Sequence, residues 1–213
     1  MFKIYKNKRE IVNSLIKATD VVLDVGFWGQ GVKIGHRDWV HNFLKNRAKD
    51  VYGLDLDFDS ARLNPSDHYQ KANAENFDFK VKFDVIFAGD LIEHLSNPGL
   101  FLNACARNLK EGGSIIIITP NCFNLFHLAE KLSKREPTVN KDHVCYFNEK
   151  TITRLLEKNG WQLAEIDFLY SLPIVYKASW KKKFLNFVYW LLSKFTTKFM
   201  ENMVITAKIV NKR

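Results

Sequence analysis

Two aspartates lie near the ends of short apolar runs early in the chain. Asp24 lies in the run 20–25 (DVVLDV), which ends directly before Gly26, and Asp55 ends the run 50–55 (DVYGLD). Glycines let a backbone approach a ligand without a Cβ clash, and an acid at a strand end can accept hydrogen bonds from the two hydroxyls of a ribose. The pattern predicts a cofactor crevice with contacts at Asp24, Gly26, Gly29, Gly31 and Asp55.

A second group of polar residues follows the apolar run 83–88. Asp90, Glu93 and His94 fall within five positions, and His143 lies in a long irregular stretch farther on. Because histidine titrates near neutral pH, His94 or His143 could take a proton from a hydroxyl. Alternatives stay open. Asp90, Glu93 and His94 together could bind a divalent cation, Glu93 and His94 could brace the loop by hydrogen bonds, and His143 could be an ordinary surface histidine.

The elements that must position these residues alternate between strand-like and helix-like patterns. Short β-branched runs predict strands, and apolar residues three or four positions apart predict helices. The predicted strands are 20–25, 50–55, 68–71, 83–88, 114–119, 161–169 and 203–210, and the predicted helices are 8–18, 37–48, 58–63, 97–109, 124–134 and 148–159. This alternation is typical of an α/β fold built on a mostly parallel sheet.

Charge is distributed unevenly along the 213 residues. The formal net charge is +9, and the segment 171–213 holds nine basic residues against one acid, so that it alone carries +8. A nucleic-acid groove would need clustered positive charge on the main domain. The composition therefore disfavours nucleic acid as a partner.

The cysteines and the N-terminal residues bear on the compartment. The three cysteines are odd in number and show no Cys-x-x-Cys spacing, which favours reduced thiols over disulfides or a zinc site. The first ten residues are polar and basic, without the apolar run of a signal peptide. We expect one domain over 1–213 in a cytoplasmic protein, with peripheral attachment to the cytoplasmic membrane face as an additional option.

The segment 172–202 reads as an insertion between the last two strands. Its central part, 180–200, has the spacing of an amphipathic helix with lysines at its edges. The apolar positions of the predicted helix are Phe184, Val188, Leu191, Leu192, Phe195 and Phe199. An anionic membrane surface, packing on the domain and homodimer formation are the alternatives that this pattern leaves open.

Several segments, taken in order, resemble motifs of the class I S-adenosylmethionine-dependent methyltransferases. The segments are VVLDVG at 21–26, YGLDLD at 52–57, ANAENF at 72–77, FDVIFAGDLIEHL at 83–95 and NLKEGGSIIIITPN at 108–121. The chain looks most similar to the branch that includes ubiquinone-biosynthesis O-methyltransferases and many small-molecule and cell-surface-sugar methyltransferases. One departure is the extra residue between Gly26 and Gly29 in the first motif.

The resemblance implies a doubly wound, mostly parallel, seven-stranded Rossmann-like sheet with a helical insertion before its last, antiparallel strand. It also implies methyl transfer from S-adenosylmethionine, with oxygen of a small-molecule, sugar or lipid-linked acceptor as the expected target. The implied cofactor contacts are Asp24, Gly26, Gly29, Gly31, Asp55, Leu56, Asn73, Ala74, Glu75, Gly89 and Asp90.

Two other functions remain as alternatives. A nicotinamide-dependent oxidoreductase would need Gly-x-Gly-x-x-Gly after the first strand, which the spacing of Gly26, Gly29 and Gly31 does not supply. A module that binds a membrane or a protein partner, and holds a cofactor without turning over, would be expected to lack catalytic groups.

Overall fold

In the part of the chain that the structure describes, the strands form one sheet of eight. The computed structural model describes residues 2–28, 36, 38–64, 67–133, 136–137, 140–170 and 180–210. Its strands are β1 (Ile4–Tyr5), β2 (Val21–Val25), β3 (Asp50–Asp55), β4 (His68–Lys71), β5 (Phe83–Gly89), β6 (Leu109–Pro120), β7 (Trp161–Leu169) and β8 (Asn202–Ile209). Its α-helices are α1 (Lys8–Leu15), α2 (Val40–Lys45), α3 (Pro98–Asn108), α4 (Leu125–Leu132), α5 (Glu149–Lys158) and α6 (Trp180–Leu192).

The strand order is β1-β7-β8-β6-β5-β2-β3-β4. All paired strands are parallel except β8, which runs antiparallel to β6 and β7. The predicted α/β class, the antiparallel last strand and the helical insertion before it are confirmed. The predicted number of seven strands is wrong by one, because the two residues of β1 add to the edge beside Phe168 and Leu169 of β7.

The central strands are apolar on both faces because helices cover both sides of the sheet. One core packs Leu23 and Ile117 with α3 and α5, and the other packs Val22 and Ile116 with α1 and α2. Alternate residues of each strand point to opposite cores. This double burial explains why β2, β5 and β6 read as continuous apolar runs in the sequence.

Element boundaries differ from the predictions at several places. Strand β6 begins at Leu109 instead of residue 114, because Leu109 already pairs with Phe83 of β5, ahead of an irregularity in the register before Ser114. Predicted helix 37–48 is shortened to α2, α1 ends at Leu15, and the segment 58–63 contains only a 3₁₀ turn. Local pattern sets an element's type more firmly than its ends.

The carboxyl ends of β2, β3, β5 and β6 meet at one edge of the sheet, called here the carboxyl edge. The order reverses between β2 and β5: the chain goes outward through β3 and β4 and then returns to β5 on the other side of β2. Such a switch point opens a crevice outside the strand ends.

The three cysteines, of which Cys105 is buried, are all unpaired in the structure.

Candidate active site

A cavity of about 490 Å³ opens at the carboxyl edge. Its size is typical of a small-molecule site. The described residues that line it are Gly26, Trp28, Asp55, Asp90, Leu91, Glu93, His94, Pro120, Asn140, Asp142 and His143. The cavity thus brings Gly26 and Asp55, from the first group that the sequence singles out, together with the second group, Asp90, Glu93, His94 and His143.

The turn after β2 is built around Gly26. Its φ of +77° lies in the left-handed region, which glycine adopts without the steric cost that a Cβ brings. The Gly26 amide donates to the Leu54 carbonyl oxygen at 2.8 Å, which holds the turn against the end of β3. Gly29 and Gly31, the other predicted glycine contacts, lie outside the described residues.

Asp55 ends β3 at the floor of the cavity. The Trp28 amide donates to its Oδ2 at 2.9 Å, which fixes the carboxylate against the turn. Burial raises the pKa of Asp55 above its ordinary value, and the amides of Trp28, Asp57 and Leu56 partly offset this effect. A fixed carboxylate at this strand end has the chemistry needed to accept hydrogen bonds from a ribose.

Asp24 is placed differently from Asp55. Its side chain is fully buried and does not line the cavity. Its Oδ2 lies 2.9 Å from Nδ1 of His41, which is also fully buried on α2. Neither Asp24 Oδ1 nor His41 Nε2 has a hydrogen-bond partner in the described part of the chain. The structure therefore pairs Asp24 with His41 and does not place it among the described residues that line the cavity, where the sequence predicts it.

Five other predicted cofactor contacts are not among the described residues that line the cavity: Leu56, Asn73, Ala74, Glu75 and Gly89. Leu56 is 73% exposed, beside Asp55, where it can lie against a flat ring. The Asn73 side chain accepts from the Glu75 amide at 2.8 Å, and the Glu75 carboxylate accepts from the Asn97 amide at 2.8 Å. Ala74 is buried. The polar side chains of Asn73 and Glu75 therefore make hydrogen bonds within the loop and to the start of α3.

Asp90 follows Gly89, which is buried at the end of β5. Its φ of +52° makes it the only non-glycine residue in the left-handed region among the described residues. Its amide donates to the Ile118 carbonyl oxygen at 2.9 Å, and its carboxylate pairs with the ammonium of Lys8 on α1. The chain tolerates such strain where function requires a particular side-chain direction.

Glu93 is a buried acid in the 3₁₀ turn after β5. It is 2% exposed, its Oε2 accepts from the Thr119 hydroxyl at 2.9 Å, and its Oε1 has no partner within the described segments. Burial, and then the charge of Asp90, raise the pKa of Glu93 to about 7. Its carbonyl oxygen accepts from the amides of Val144 and Cys145, which ties the loop carrying His143 to the site.

His94 and His143 face one another across the mouth of the cavity. Their ring centroids are 4.6 Å apart in an edge-to-face arrangement. His94 Nδ1 lies 3.2 Å from the carbonyl oxygen of Asp142. A carbonyl oxygen only accepts, so Nδ1 is the donor and Nε2 of the neutral ring keeps its lone pair. Burial, and then His94, lower the pKa of His143, which favours a neutral His143 ring.

Three residues near the cavity could also hold a metal. Ligand atoms of Glu93, His94 and His143 lie within 4.8 Å of one another. The sequence predicts Asp90 beside Glu93 and His94 in this role, but the Asp90 carboxylate is directed to Lys8. Two nitrogens and one carboxylate suit a transition metal such as zinc better than magnesium or calcium.

Three residues that matter here carry no sequence signal of their own. The sequence around Lys8 and around His41 predicts only a helix, and the sequence around Glu201 predicts only the approach to a strand. The sheet brings Lys8 to Asp90 across 82 positions, and it brings the Glu201 carbonyl oxygen to the Asn121 amide at 2.8 Å. Such partners are set by strand order, which no local pattern encodes.

The fold and the crevice together define a class. A doubly wound sheet with β8 antiparallel, a glycine turn after β2 and an acid at the end of β3 are features expected of a site for a nucleoside-type cofactor. The sequence profile of the Methyltransferase domain family matches residues 9–166. The chain belongs to this family. The match gives no support to a nicotinamide-dependent oxidoreductase or to a binding module without turnover.

Curated relatives carry the name ubiquinone biosynthesis O-methyltransferase. The protein from Azoarcus sp. (strain BH72) is 27% identical over 168 residues, which cover 72% of this chain and 69% of that protein. The protein from Nitrobacter winogradskyi is 35% identical over 74 residues, 35% of this chain, and the match spans only 28% of that protein's length. The matched region spans less than a third of the length of several of these relatives.

Solved structures share the fold. The 1,6-didemethyltoxoflavin-N1-methyltransferase of Burkholderia thailandensis superposes with a TM-score of 0.60 at 15% identity, covering 96% of this chain and 77% of that one. That structure contains S-adenosylhomocysteine and 1,6-didemethyltoxoflavin. The family match, together with a ligand of this kind in a protein of the same fold, supports S-adenosylmethionine as the cofactor predicted from the sequence.

Proposed function

We propose that the protein transfers the methyl group of S-adenosylmethionine to an oxygen atom of a small-molecule acceptor. The observation that carries the proposal is the cavity that joins Gly26 and Asp55 on one side to His94 and His143 on the other. One side has the groups for a nucleoside, and the other has a base for a hydroxyl. The name of the curated relatives favours oxygen over nitrogen as the methylated atom.

The cofactor side has residues of the right chemistry. Bound S-adenosylmethionine would supply an electrophilic methyl group on a sulfonium. Asp55 would accept from the ribose hydroxyls, and the exposed Leu56 beside it would cover the adenine. The positive φ at Gly26 turns the backbone away, so that the rest of the cofactor can pass over the end of β2. Catalysis then depends on aligning the acceptor oxygen with the methyl group.

His94 is the general base of the proposed reaction. Its Nε2 has the free lone pair, because Nδ1 donates to the Asp142 carbonyl oxygen. Nε2 would take the hydroxyl proton while the acceptor oxygen is methylated, and bound S-adenosylmethionine would supply the methyl group and depart as a neutral thioether. His143, edge-on to this ring, holds it in place and walls off water.

The acceptor class follows from the surroundings of the cavity. Asn140 and Asp142 at its mouth can hydrogen-bond to hydroxyls, which suits a phenol or a sugar. A sugar or a ring carried by a lipid would fit the same opening, with the carrier outside. The protein would then work at the cytoplasmic face of a membrane.

The test has two independent arms. Calorimetric titration with S-adenosylmethionine and S-adenosylhomocysteine measures binding, and mass spectrometry of cell extract incubated with a labelled methyl donor detects a labelled product. We expect micromolar binding and a product gaining one methyl group. Absence of binding by the folded protein rejects the cofactor assignment, and binding without any labelled product supports the module without turnover.

The base assignment is tested by His94→Ala and His143→Ala once an acceptor is known. Loss of a general base lowers kcat by about 100-fold or more, with little effect on cofactor affinity, so His94→Ala should do this and His143→Ala should do less. Removal of metal by a chelator distinguishes the alternative. Activity that survives chelation supports the base, whereas activity lost with the metal and restored by adding it back contradicts the base.

A further inference from the structure

Helix α6 exposes large apolar side chains, most of them aromatic, along one face. Trp180, Phe184, Phe187 and Leu191 follow the spacing of one helical face and are 73%, 62%, 55% and 43% exposed. Trp190 and Phe195 extend this surface, and Phe195 is 81% exposed. We call the six residues the aromatic face. Contiguous exposed apolar surface of this kind marks an interaction site more often than scattered apolar residues do.

The opposite side of α6 holds it firmly on the domain. Tyr189 is 1% exposed and stacks on Tyr170 with ring centroids 5.1 Å apart. Its ring also contacts Phe126 of α4, and its hydroxyl donates to the sulfur of Met200. Because Tyr189 anchors the helix from this side, the aromatic face is directed away from the core by the fold itself.

Positive charge surrounds the aromatic face. Lys183, Lys194 and Lys198 are exposed, and the Lys194 ammonium lies 5.4 Å from the Trp190 ring centroid. The segment 171–200 contains no acidic residue at all. Lysines around exposed tryptophan and phenylalanine are typical of a helix that lies in the interface of an anionic bilayer.

We propose that the aromatic face binds the surface of a lipid bilayer that contains anionic lipids. A second copy of the chain is the less suitable occupant, because a two-fold contact through this face would bring lysines against lysines with no acid among them. Anionic headgroups supply the missing charge, and the interfacial zone accommodates the rings. In the described part of the chain no helix is long and apolar enough to cross a membrane, so the contact is with the surface.

The insertion that carries the aromatic face joins the sheet close to a residue that lines the cavity. Asn202, at the start of β8, pairs with Pro120, which lines the cavity, and the Asn121 side-chain amide donates to the Lys198 and Met200 carbonyl oxygens. The insertion is therefore attached at the carboxyl edge of the sheet. The aromatic face is thus carried by a segment that joins the sheet at the same edge as the cavity. The proposal of membrane binding does not depend on the proposed reaction.

Vesicle flotation with the full chain tests the proposal. The probes are vesicles of phosphatidylcholine alone and of phosphatidylcholine with phosphatidylglycerol. One variant combines Phe184→Ser, Phe187→Ser and Trp190→Ser, and a second combines Lys183→Glu, Lys194→Glu and Lys198→Glu. The matched charge control combines Lys49→Glu, Lys80→Glu and Lys158→Glu, which are exposed lysines near the opposite, amino edge of the sheet.

We expect the unmodified protein to float with the anionic vesicles only, and less at high salt because ions screen the attraction. The lysine variant should partition about a hundredfold more weakly, the aromatic variant should lose binding, and the charge control should keep most of it. No flotation of the unmodified protein, equal flotation with neutral vesicles, or equal losses in the lysine variant and its control would each overturn the proposal. So would a dimer in light scattering that the aromatic variant dissociates. Circular dichroism confirms that each variant is folded.

Discussion

At the scale of single residues, Asp55 carries the ribose end of the proposed cofactor site. Its carboxylate is oriented by the Trp28 amide and can accept two further hydrogen bonds. In Asp55→Asn one acceptor becomes a donor and the charge is lost. Hydrogen bonds to a charged group contribute about 1.5–3 kcal/mol, so calorimetry should find the affinity for S-adenosylmethionine roughly 10- to 100-fold lower.

Asp57→Asn is the matched control for this prediction. Asp57 is two residues away and pairs with Lys71 in an exposed ion pair, where its side chain is 86% exposed. Surface pairs of this kind contribute little. We expect its affinity for the cofactor to equal that of the unmodified protein. Equal losses in both variants would mean that Asp55 acts through general charge and not through a hydrogen bond to the cofactor.

The buried pair of Asp24 and His41 is expected to contribute to the stability of the fold. Replacing His41 by leucine leaves the fully buried Asp24 carboxyl without the partner at 2.9 Å. Breaking a buried pair from one side costs about 3–5 kcal/mol. Urea denaturation should show that loss for His41→Leu and a smaller loss for His41→Asn, which keeps a donor close to the position of Nδ1.

The double variant Asp24→Asn with His41→Leu separates pairing from packing. If the cost of His41→Leu comes from the unpaired acid, neutralising Asp24 should recover part of it, so that the two changes are not additive. Strict additivity would instead attribute the cost to the packing of His41 against Phe27, Trp39 and Tyr69, whose rings lie 5.0–5.6 Å from its own.

At the scale of elements, β3 packs unusually closely under the cofactor turn. A Cβ on Gly53 would lie 2.7 Å from a ring carbon of Tyr69 and 2.9 Å from one of Phe27. Phe27 is fully buried and cannot yield, because Trp39 and Phe58 pack against it. Overpacking of a core typically costs about 1–3 kcal/mol. Gly53→Ala should therefore lower the free energy of unfolding by that amount.

Gly99→Ala provides the comparison within a helix. Gly99 lies in α3, where a Cβ would meet only the end of the Asn159 side chain, at 3.0 Å. Alanine is favoured over glycine in helices by up to about 1 kcal/mol. Thermal unfolding should find this variant as stable as the unmodified protein or more so. Equal changes in the free energy of unfolding at the two positions would contradict this expectation. They would mean that Tyr69 and Phe27 move aside as easily as the flexible Asn159 side chain does.

At the scale of the whole molecule, the closing strand β8 makes stability depend on pH. Glu201 lies just before β8, and burial, followed by the charge of Asp90, raises its pKa to about 7 from an ordinary 4.5. The folded state thus binds a proton that the unfolded state releases. This contribution is fully present below the ordinary pKa and is lost as the pH rises from about 4.5 through 7.

Glu201→Gln removes that titration while keeping the shape of the side chain. We expect its stability to exceed that of the unmodified protein increasingly as the pH rises from 5 to 8, approximately across the range set by the pKa shift. Urea midpoints at several pH values measure this difference. Glu93 titrates in the same direction, so some pH dependence remains. Glu157→Gln, on exposed helix surface, should show no such trend, and an equal trend would contradict the assignment.

Sequence by itself determined the class of fold, most element types and the edge of the sheet where the site lies. Strands β3, β4 and β7 match their predicted ranges, because apolar runs and glycine turns are local signals. The same signals identify Gly26, Asp55, His94 and His143, since each lies next to such a run or in a long connecting loop.

Tertiary structure alone decided how distant residues combine. It pairs Asp24 with His41 and Asp90 with Lys8, and it brings the rings of His94 and His143 together. It also decided which residues of the insertion are buried: the predicted apolar positions Phe184 and Leu191 of α6, and Phe195 beyond its end, are exposed, whereas Tyr189 is buried. Periodicity defines a helical face but not its partner, because that partner is chosen by strand order and by contacts between residues far apart in the chain.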